Sequence, residues 1–222
     1  MHNNSRRAYH REVQAFQIPV PWLLGVTVDC TASISNRDFA IAKDQLIKFL
    51  VATHLRGRSL PGLPSDFVSV TAFKDRRNIF GPPQPLNVVK MDNESHVSAL
   101  CQWVNNLRND GGSTALYDAI KIASSELVTM DSYLPYQYLK LVLAITDGGD
   151  NNSNTRLQDL SYFLNSNLCL SVIGVGSSAS SQLSSISRYA TSTHSIGNFG
   201  DLYQAMTISL GVVIERQGLI QF

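Results

Sequence analysis

Three oxygen-bearing side chains follow a run of apolar and β-branched residues that starts at Trp22. They are Asp29, Thr31 and Ser33, spaced two apart. Alternate residues of an extended chain share a face, so the carboxylate and both hydroxyls point in one direction if the run is a strand. Parallel α/β sheets bind ligands at the carboxyl ends of their strands. Oxygen donors at that position favour a hard cation such as Mg²⁺.

Two later segments supply the remaining candidate ligands. The apolar run 138–146 ends in Asp147, and a glycine-rich loop leads through Ser113 to Thr114 at the start of a predicted helix. Strand ends lie along one edge of an open parallel sheet, so these groups could converge. Two carboxylates balance a divalent cation, and Mg²⁺ keeps part of its six-oxygen shell for water or an outside ligand. The sequence therefore predicts an Mg²⁺ site with an open position, for which Mn²⁺ or Ca²⁺ are alternatives, at Asp29, Thr31, Ser33, Thr114 and Asp147.

Alternating strands and helices are predicted to position these groups. Strands are expected at 22–29, 66–74, 138–146, 168–175 and 194–196, and helices at 37–55, 95–108, 113–130, 155–164, 181–190 and 199–213. This order predicts an α/β fold, a mainly parallel sheet with helices on both faces. A weaker strand within 79–89 is broken by prolines, which confine it to an edge or a hairpin.

Three motifs, in order, resemble the von Willebrand factor type A (vWA) domain over about residues 20–215. They are D-x-T-x-S at 29–33, GGSTALYDAI at 111–120 and ITDGGDN at 145–151. The resemblance implies a Rossmann-like fold with one antiparallel edge strand and a metal-ion-dependent adhesion site. In that site Thr31, Ser33 and Thr114 would contact the cation, and Asp29 and Asp147 would bind it directly or through water. Residues 1–17 are expected to form a flexible arm and 18–222 the domain.

The chain departs from the commonest family pattern near its first motif. Thr31 replaces a serine, which keeps the hydroxyl and adds a methyl group, and the usual small-residue and Met ending is replaced by Ala32-Ser33-Ile34. With threonine at this position, the first motif resembles that of the intracellular, copine-like branch of the family. The doubled Ser113-Thr114 leaves the loop ligand ambiguous by one residue, and Thr114 is chosen because related sequences run T-A-L-Y-D into the helix.

The resemblance implies a divalent-cation-dependent protein-binding module, not an enzyme, in which a partner's Asp or Glu completes the metal shell. The alternative is a metal-dependent phosphohydrolase that uses the same cation. A Cys-x5-Arg phosphatase loop would need arginine at Asn36, and a haloacid-dehalogenase-type site would need aspartate at Thr31. Asp118 in a first helical turn, and Asp150 to Asn152 in a loop, are expected to be structural rather than ligands.

Composition excludes several partners. Lys and Arg number 18 against 17 Asp and Glu, which gives no electrostatic basis for binding nucleic acid or an anionic membrane. The apolar stretch 18–28 follows three arginines and imitates a signal peptide, but Pro19 and Pro21 interrupt it. No run approaches the ~20 apolar residues of a membrane span. With three widely separated cysteines, a cytoplasmic location is expected.

Overall fold

The computed structural model describes residues 16–60, 62–164 and 168–219. Within these residues there are seven strands: β1 (Trp22–Asp29), β2 (Phe67–Phe73), β3 (Ile79–Phe80), β4 (Val89–Lys90), β5 (Leu139–Thr146), β6 (Leu168–Val175) and β7 (Ser192–Ile196). They form one sheet in the order β3-β2-β1-β5-β6-β7, and β4 also pairs with β2. The mainly parallel α/β fold predicted from the sequence is confirmed.

The order in which the chain adds strands reverses beside β1, although the strands themselves stay parallel. β1 pairs in parallel with β2 on one side and with β5 on the other, and β6 and β7 continue the parallel order outward from β5. The gap between the carboxyl ends of β1 and β5 is therefore the topological switch point, where open α/β sheets bind ligands. At the opposite side, two-residue strands β3 and β4 pair antiparallel with β2 and form the predicted antiparallel edge.

Helices cover both faces of the sheet, over two separate apolar cores. They are α1 (Asn36–Ser59), α2 (Glu94–Asn105), α3 (Leu116–Asp131), α4 (Leu160–Phe163), α5 (Ser180–Ile186) and α6 (Leu202–Arg216). Residues of α1, α2 and α6 pack in one core, and residues of α3, α4 and α5 pack in the other. β1 serves both cores because its side chains alternate: Trp22, Leu24 and Val26 lie in the first and Leu23 in the second.

Helix α3 lies close against the central strand because β1 carries a glycine beneath it. A Cβ atom on Gly25 would lie 3.4 Å from the Cβ of Ala123 and 3.5 Å from Leu127. Burial of apolar side chains such as Ile120 and Leu127 stabilises this packing by roughly 2 kcal/mol for each one. The strand and the start of α3 are thus held in a fixed relation, which matters because both lead into the candidate site.

Several boundaries differ from the sequence-based expectations. The helix expected from Ser113 begins at Leu116, and the helix expected at 155–164 is a 3₁₀ turn, Leu157–Asp159, followed by the four-residue α4. Residues 1–15 of the predicted arm lie outside the described residues, and the Phe16 ring packs edge-on against Trp22. Among the helices of the described part, none is long and apolar enough to cross a membrane.

Candidate metal centre

The loop after β1 and the loop before α3 are joined by backbone hydrogen bonds. Gly111 N donates to Cys30 O at 3.2 Å, and Ala32 N donates to Gly111 O at 2.7 Å, which makes a single parallel bridge between Thr31 and Gly111. A Cβ atom at Gly111 would lie 2.6 Å from the Cβ of Lys74, so only glycine allows this approach. The close approach brings the segment that contains Thr114 towards the end of β1.

A continuous chain of hydrogen bonds joins four of the five predicted site residues. Thr31 N donates to Asp29 Oδ1 at 3.0 Å, and the Thr31 and Ser33 hydroxyls share a hydrogen bond of 2.8 Å. Ser33 Oγ in turn donates to Asp147 Oδ1 at 3.0 Å. The other oxygen of Asp29 accepts from Thr146 Oγ1 at 2.9 Å. The ends of β1 and β5 therefore converge as the sequence predicted.

Thr114, the fifth predicted residue, is buried just before α3, and its peptide group is held by the loop after β5. Thr114 N donates to Asn151 Oδ1 at 2.8 Å, while Asn151 N and Asn152 N donate to Thr114 O at 3.0 and 3.1 Å. Within the described residues, no hydrogen bond joins the Thr114 hydroxyl to the other four site residues. Its neighbour Ser113 is half-buried. The choice of Thr114 over Ser113 as a ligand stays a prediction.

Two carboxylates share the centre of the site. Burial, together with the negative charge of Asp147, raises the pKa of Asp29 to about 6, although hydrogen bonds from Thr31 and Thr146 oppose this shift. Burial also raises the pKa of Asp147, against the hydrogen bond from Ser33. In the part of the chain that the structure describes, neither carboxylate forms an ion pair with a basic side chain. The site therefore holds negative charge that no ion pair within the described residues balances.

The donor chemistry fits a hard divalent cation. The candidate donors are carboxylate and hydroxyl oxygens, which suit Mg²⁺, Ca²⁺ or Mn²⁺ better than soft metals. Among the described residues there is no group of three or more His, Cys, Asp or Glu side chains, so the hydroxyls are needed to complete any ligand set. The Cys30 thiol is fully buried, and burial together with the charge of Asp29 raises its pKa to about 12. Cys30 thus stays protonated and packs in the core.

Several supporting residues were not found from the sequence. Thr146, the last residue of β5, is hydrogen-bonded to Asp29, and Ser178 Oγ donates to Asp147 O at 2.5 Å. Asn151 was expected only to form a loop or cap, yet it holds the Thr114 peptide. The one available signal was position, because Thr146 and Asn151 flank the predicted ligand Asp147.

The first turn of α3 is anchored by the same loop. Asp118 accepts hydrogen bonds from Asn154 N and Thr155 N, both at 2.8 Å. In return, Asp118 N donates to Ser153 Oγ at 3.0 Å and Tyr117 N donates to Asp150 Oδ1 at 3.4 Å. Asp118 and Asp150 therefore have the structural contacts expected of them, and α3 needs no side-chain cap of its own.

Comparisons with known proteins agree with this architecture. The family model for the von Willebrand factor type A domain matches residues 24–205. No curated protein sequence matches the chain. Among solved structures, a von Willebrand factor type A protein from Catenulispora acidiphila superposes with a TM-score of 0.65 at 17% identity, over 86% of this chain and 43% of that one.

Two further solved structures are those of a mussel byssus protein and a pilus adhesin. Proximal thread matrix protein 1 from the mussel byssus, with a zinc-occupied MIDAS motif, has a TM-score of 0.64 and 16% identity over 87% of this chain and 48% of that one. The pilus adhesin SpaC from Lactobacillus rhamnosus GG has a TM-score of 0.62 and 12% identity over 90% and 30%. At these identities the likeness shows the fold alone, and this chain spans less than half the length of each.

Proposed function

Because this chain belongs to the von Willebrand factor type A domain family, we propose that it is a protein-binding module that works through a bound divalent cation. The family often mediates metal-dependent protein binding. One observation supports the proposal most directly. Two carboxylates, Asp29 and Asp147, lie at the sheet's switch point, connected through the hydroxyls of Thr31 and Ser33 and without a basic partner in the described residues. A divalent cation would balance them.

The cation would be held by five side chains from three loops. The Thr31, Ser33 and Thr114 hydroxyls would supply neutral donors, and Asp29 and Asp147 would bind directly or through water. We favour Mg²⁺ because all five donors are hard oxygens. The zinc-occupied MIDAS motif of the mussel protein supports a divalent cation in this fold. Thr31 in place of serine is the feature that favours an intracellular, copine-like member.

A partner's Asp or Glu carboxylate would complete the metal shell, since Mg²⁺ prefers six oxygens and keeps part of its shell for an outside ligand. Bound metal would supply a Lewis-acid centre for that carboxylate. Catalysis is not part of the proposal, because domains of this family are typically non-enzymatic adhesion modules. The buried, protonated Cys30 also offers no accessible thiol nucleophile at the centre. The site is thus proposed to recognise a protein and not to transform a substrate.

Calorimetric titration with Mg²⁺ tests this function. The wild-type domain is expected to bind Mg²⁺. Asp147→Asn is expected to weaken Mg²⁺ binding by about a hundredfold or more, because losing a charged ligand lowers metal affinity more than losing a supporting contact does. Asp75→Asn is the matched control, since Asp75 is at the same edge of the sheet but outside the predicted ligand set. Its Mg²⁺ affinity should equal that of the wild type.

Three results would overturn the proposal. Unchanged Mg²⁺ affinity in Asp147→Asn, with the circular dichroism spectrum intact, would show that the cation does not bind at this edge. Turnover of p-nitrophenyl phosphate that depends on Mg²⁺ and disappears in Asp147→Asn would assign the same centre to phosphoester hydrolysis. Capture of a cellular partner that survives a chelator would contradict the metal-dependent mode of binding.

A further inference from the structure

A glycine near the end of β6 brings the next segment of the chain close against the sheet, beside the candidate metal centre. Gly174 pairs with Thr146, the last residue of β5. A Cβ atom on Gly174 would lie 2.8 Å from the Cβ of Ala179 and 2.8 Å from Leu183 Cδ1. Real Cβ atoms do not approach that closely, so the packing of this segment on β6 depends on the glycine.

The segment contributes two side chains that hold the loop after β5. It consists of a 3₁₀ turn, Ser177–Ala179, and helix α5. Ser178 Oγ donates to Asp147 O at 2.5 Å, and Gln182 Oε1 accepts from Asp150 N at 3.1 Å. The two residues are four apart in helical turns, so they lie on one face, and together they are here called the α5 brace. The first and the fourth residue of the loop are thus fixed from the same side.

Gln182 also connects this loop to α3. Its Nε2 donates to the Tyr117 hydroxyl at 2.9 Å, and Tyr117 lies in the first turn of α3. Gln182 is only 6% exposed, and both ends of its amide group have a hydrogen-bond partner. Buried amides that are satisfied in this way have a fixed conformation, so Gln182 forms a rigid bridge between the loop and α3.

The loop that the α5 brace holds carries groups on which the metal centre depends. Its first residue, Asp147, is a predicted ligand. Asn151 follows Asp150 directly and holds the peptide group of Thr114, the ligand predicted at the start of α3. A displacement of this loop would therefore move one predicted ligand directly and a second one through its peptide group.

We propose that Ser178 and Gln182 are positioning residues of the metal centre, which keep Asp147 and Thr114 in place before a cation binds. Neither residue hydrogen-bonds to the side chain of a predicted ligand, so both act through the backbone of the loop. Contacts of this kind typically change metal affinity by about 10–100-fold, because preorganised ligands lose less conformational freedom on binding. The inference rests on the proposed function, since it concerns the same Mg²⁺ site.

Gln182→Met tests the α5 brace by calorimetric titration with Mg²⁺. Methionine is close to glutamine in length and fills the same space, but it lacks both amide atoms. The hydrogen bonds to Asp150 N and to the Tyr117 hydroxyl are therefore lost together. We expect Mg²⁺ affinity to fall by about tenfold.

Hydrogen exchange of the metal-free proteins gives a second measurement that does not depend on the cation. The amide of Asp150 should exchange about tenfold faster in Gln182→Met than in the wild type, because its acceptor is gone. The amides of Asn151 and Asn152 should also exchange faster, since their bonds to Thr114 O depend on the position of the loop.

Ser209→Ala is the matched control for a general loss of stability. Ser209 is fully buried on the other face of the sheet, where its hydroxyl donates to Ala205 O and accepts from Ser171 Oγ, both at 2.8 Å. This variant also loses two buried hydrogen bonds. Both variants should lower the denaturation midpoint, whereas only Gln182→Met should weaken Mg²⁺ binding.

Ser178→Ala keeps the inference testable if Gln182→Met does not fold. Ser178 is exposed, so the substitution leaves the packing of the core unchanged. Loss of its bond to Asp147 O should weaken Mg²⁺ binding by about fivefold, the equivalent of one hydrogen bond. Ser180→Ala is the matched control, because Ser180 is exposed on the same segment, and its Mg²⁺ affinity should equal that of the wild type.

The outcomes separate the α5 brace from the proposed function. Absence of Mg²⁺ binding in the wild type would overturn both. Wild-type Mg²⁺ affinity in Gln182→Met and Ser178→Ala would overturn the brace alone and leave the metal centre standing. An unchanged exchange rate of the Asp150 amide in Gln182→Met would contradict the brace, as would an equal loss of Mg²⁺ affinity in Ser209→Ala.

Discussion

Two buried aspartates lie at opposite edges of the same sheet, and among the described residues only one of them has a counter-charge. Asp29 ends β1 at the carboxyl edge, and Asp66 directly precedes β2 at the amino edge; each is 1% exposed. Isolated charges are costly to bury, so each carboxylate needs compensation. The two edges provide it in different ways.

At the amino edge the counter-charge comes from Arg56. Arg56 Nη1 donates to both oxygens of Asp66, at 2.6 and 2.5 Å, and Trp22 N donates to one of them at 2.7 Å. The guanidinium stacks over the Trp22 ring at 3.7 Å and also donates to Ile18 O and Val20 O. Burial pushes the pKa of Asp66 upward, and Arg56 opposes that push. This edge is a closed structural pair.

At the carboxyl edge the charged residue that shifts the pKa of Asp29 has the same sign. Asp147 adds to the burial that raises the pKa of Asp29 to about 6, and only hydrogen bonds from Thr31 and Thr146 oppose it. Burial of a carboxylate alone therefore does not identify a ligand site. A buried carboxylate whose charge is paired with a basic side chain stabilises the fold. A buried carboxylate without such a pair is a candidate ligand for an external cation.

Arg56→Met tests the closed edge and should give the largest effect. The substitution keeps an apolar side chain against Trp22 but leaves the Asp66 charge without a partner, so we expect a loss of about 3–5 kcal/mol of unfolding free energy. Chemical denaturation measures the change. Arg58→Ala is the control, because Arg58 and Glu94 form an exposed pair at 3.6 Å, whose loss should cost less than about 1 kcal/mol. Equal costs in both variants would contradict the comparison.

Asp29→Asn tests the carboxyl edge and should raise the unfolding free energy of the metal-free protein, where Arg56→Met lowers it. An ionised Asp29 with a raised pKa destabilises the metal-free fold at neutral pH, by up to about 3 kcal/mol for a shift of this size. Asparagine removes the charge, accepts from Thr31 N and can donate to Thr146 Oγ1, so both hydrogen bonds have partners. We expect the metal-free variant to be more stable than wild type in denaturation, while its Mg²⁺ affinity is lost.

The pH dependence of the same two proteins provides the control. Because the folded-state pKa of Asp29 is raised from 3.8 to about 6, its contribution to stability is fully present below pH 3.8 and is lost as pH rises through about 6. Mg²⁺ affinity should rise over that same interval as the carboxylate ionises. Asp29→Asn should lack this component of the pH dependence. A metal-free wild type that gains stability from pH 4 to 7 relative to the variant would contradict the assignment.

The sequence predicted the aspartates of the carboxyl edge far better than the Arg56–Asp66 pair of the amino edge. Asp29 and Asp147 each end a continuous apolar strand, and strand ends of a parallel sheet meet at one edge whatever the details of packing. The Arg56–Asp66 pair has no such signal. Arg56 stands at an ordinary basic position in the last turn of α1, and its partner is fixed only by how α1 packs against the sheet.

The shortest elements were predicted in place but not in extent, since a weak edge strand was expected within 79–89. Strands β3 and β4 have two residues each and exist only through their pairing with β2, so local propensity does not define them. The helix expected at 155–164 is shortened at its start, where Asn154 N and Thr155 N donate to Asp118 instead of entering a helix. In both cases a tertiary contact decides the local conformation.

Asn151→Ala should have the smallest effect of these substitutions, because Asn151 carries no charge and only positions the Thr114 peptide at the carboxyl edge. The change removes the acceptor for Thr114 N but keeps the bond from its own N–H to Thr114 O. We expect a loss of about 1 kcal/mol in unfolding free energy and about a tenfold loss of Mg²⁺ affinity by calorimetry. Asn152→Ala is the matched control, since it keeps the bond to Thr114 O and loses only the acceptor for Arg76 N at 2.9 Å. Mg²⁺ affinity equal to wild type in Asn151→Ala as well as in Asn152→Ala would show that this loop does not position Thr114 as a metal ligand. The metal centre would then consist of Asp29, Thr31, Ser33 and Asp147 alone.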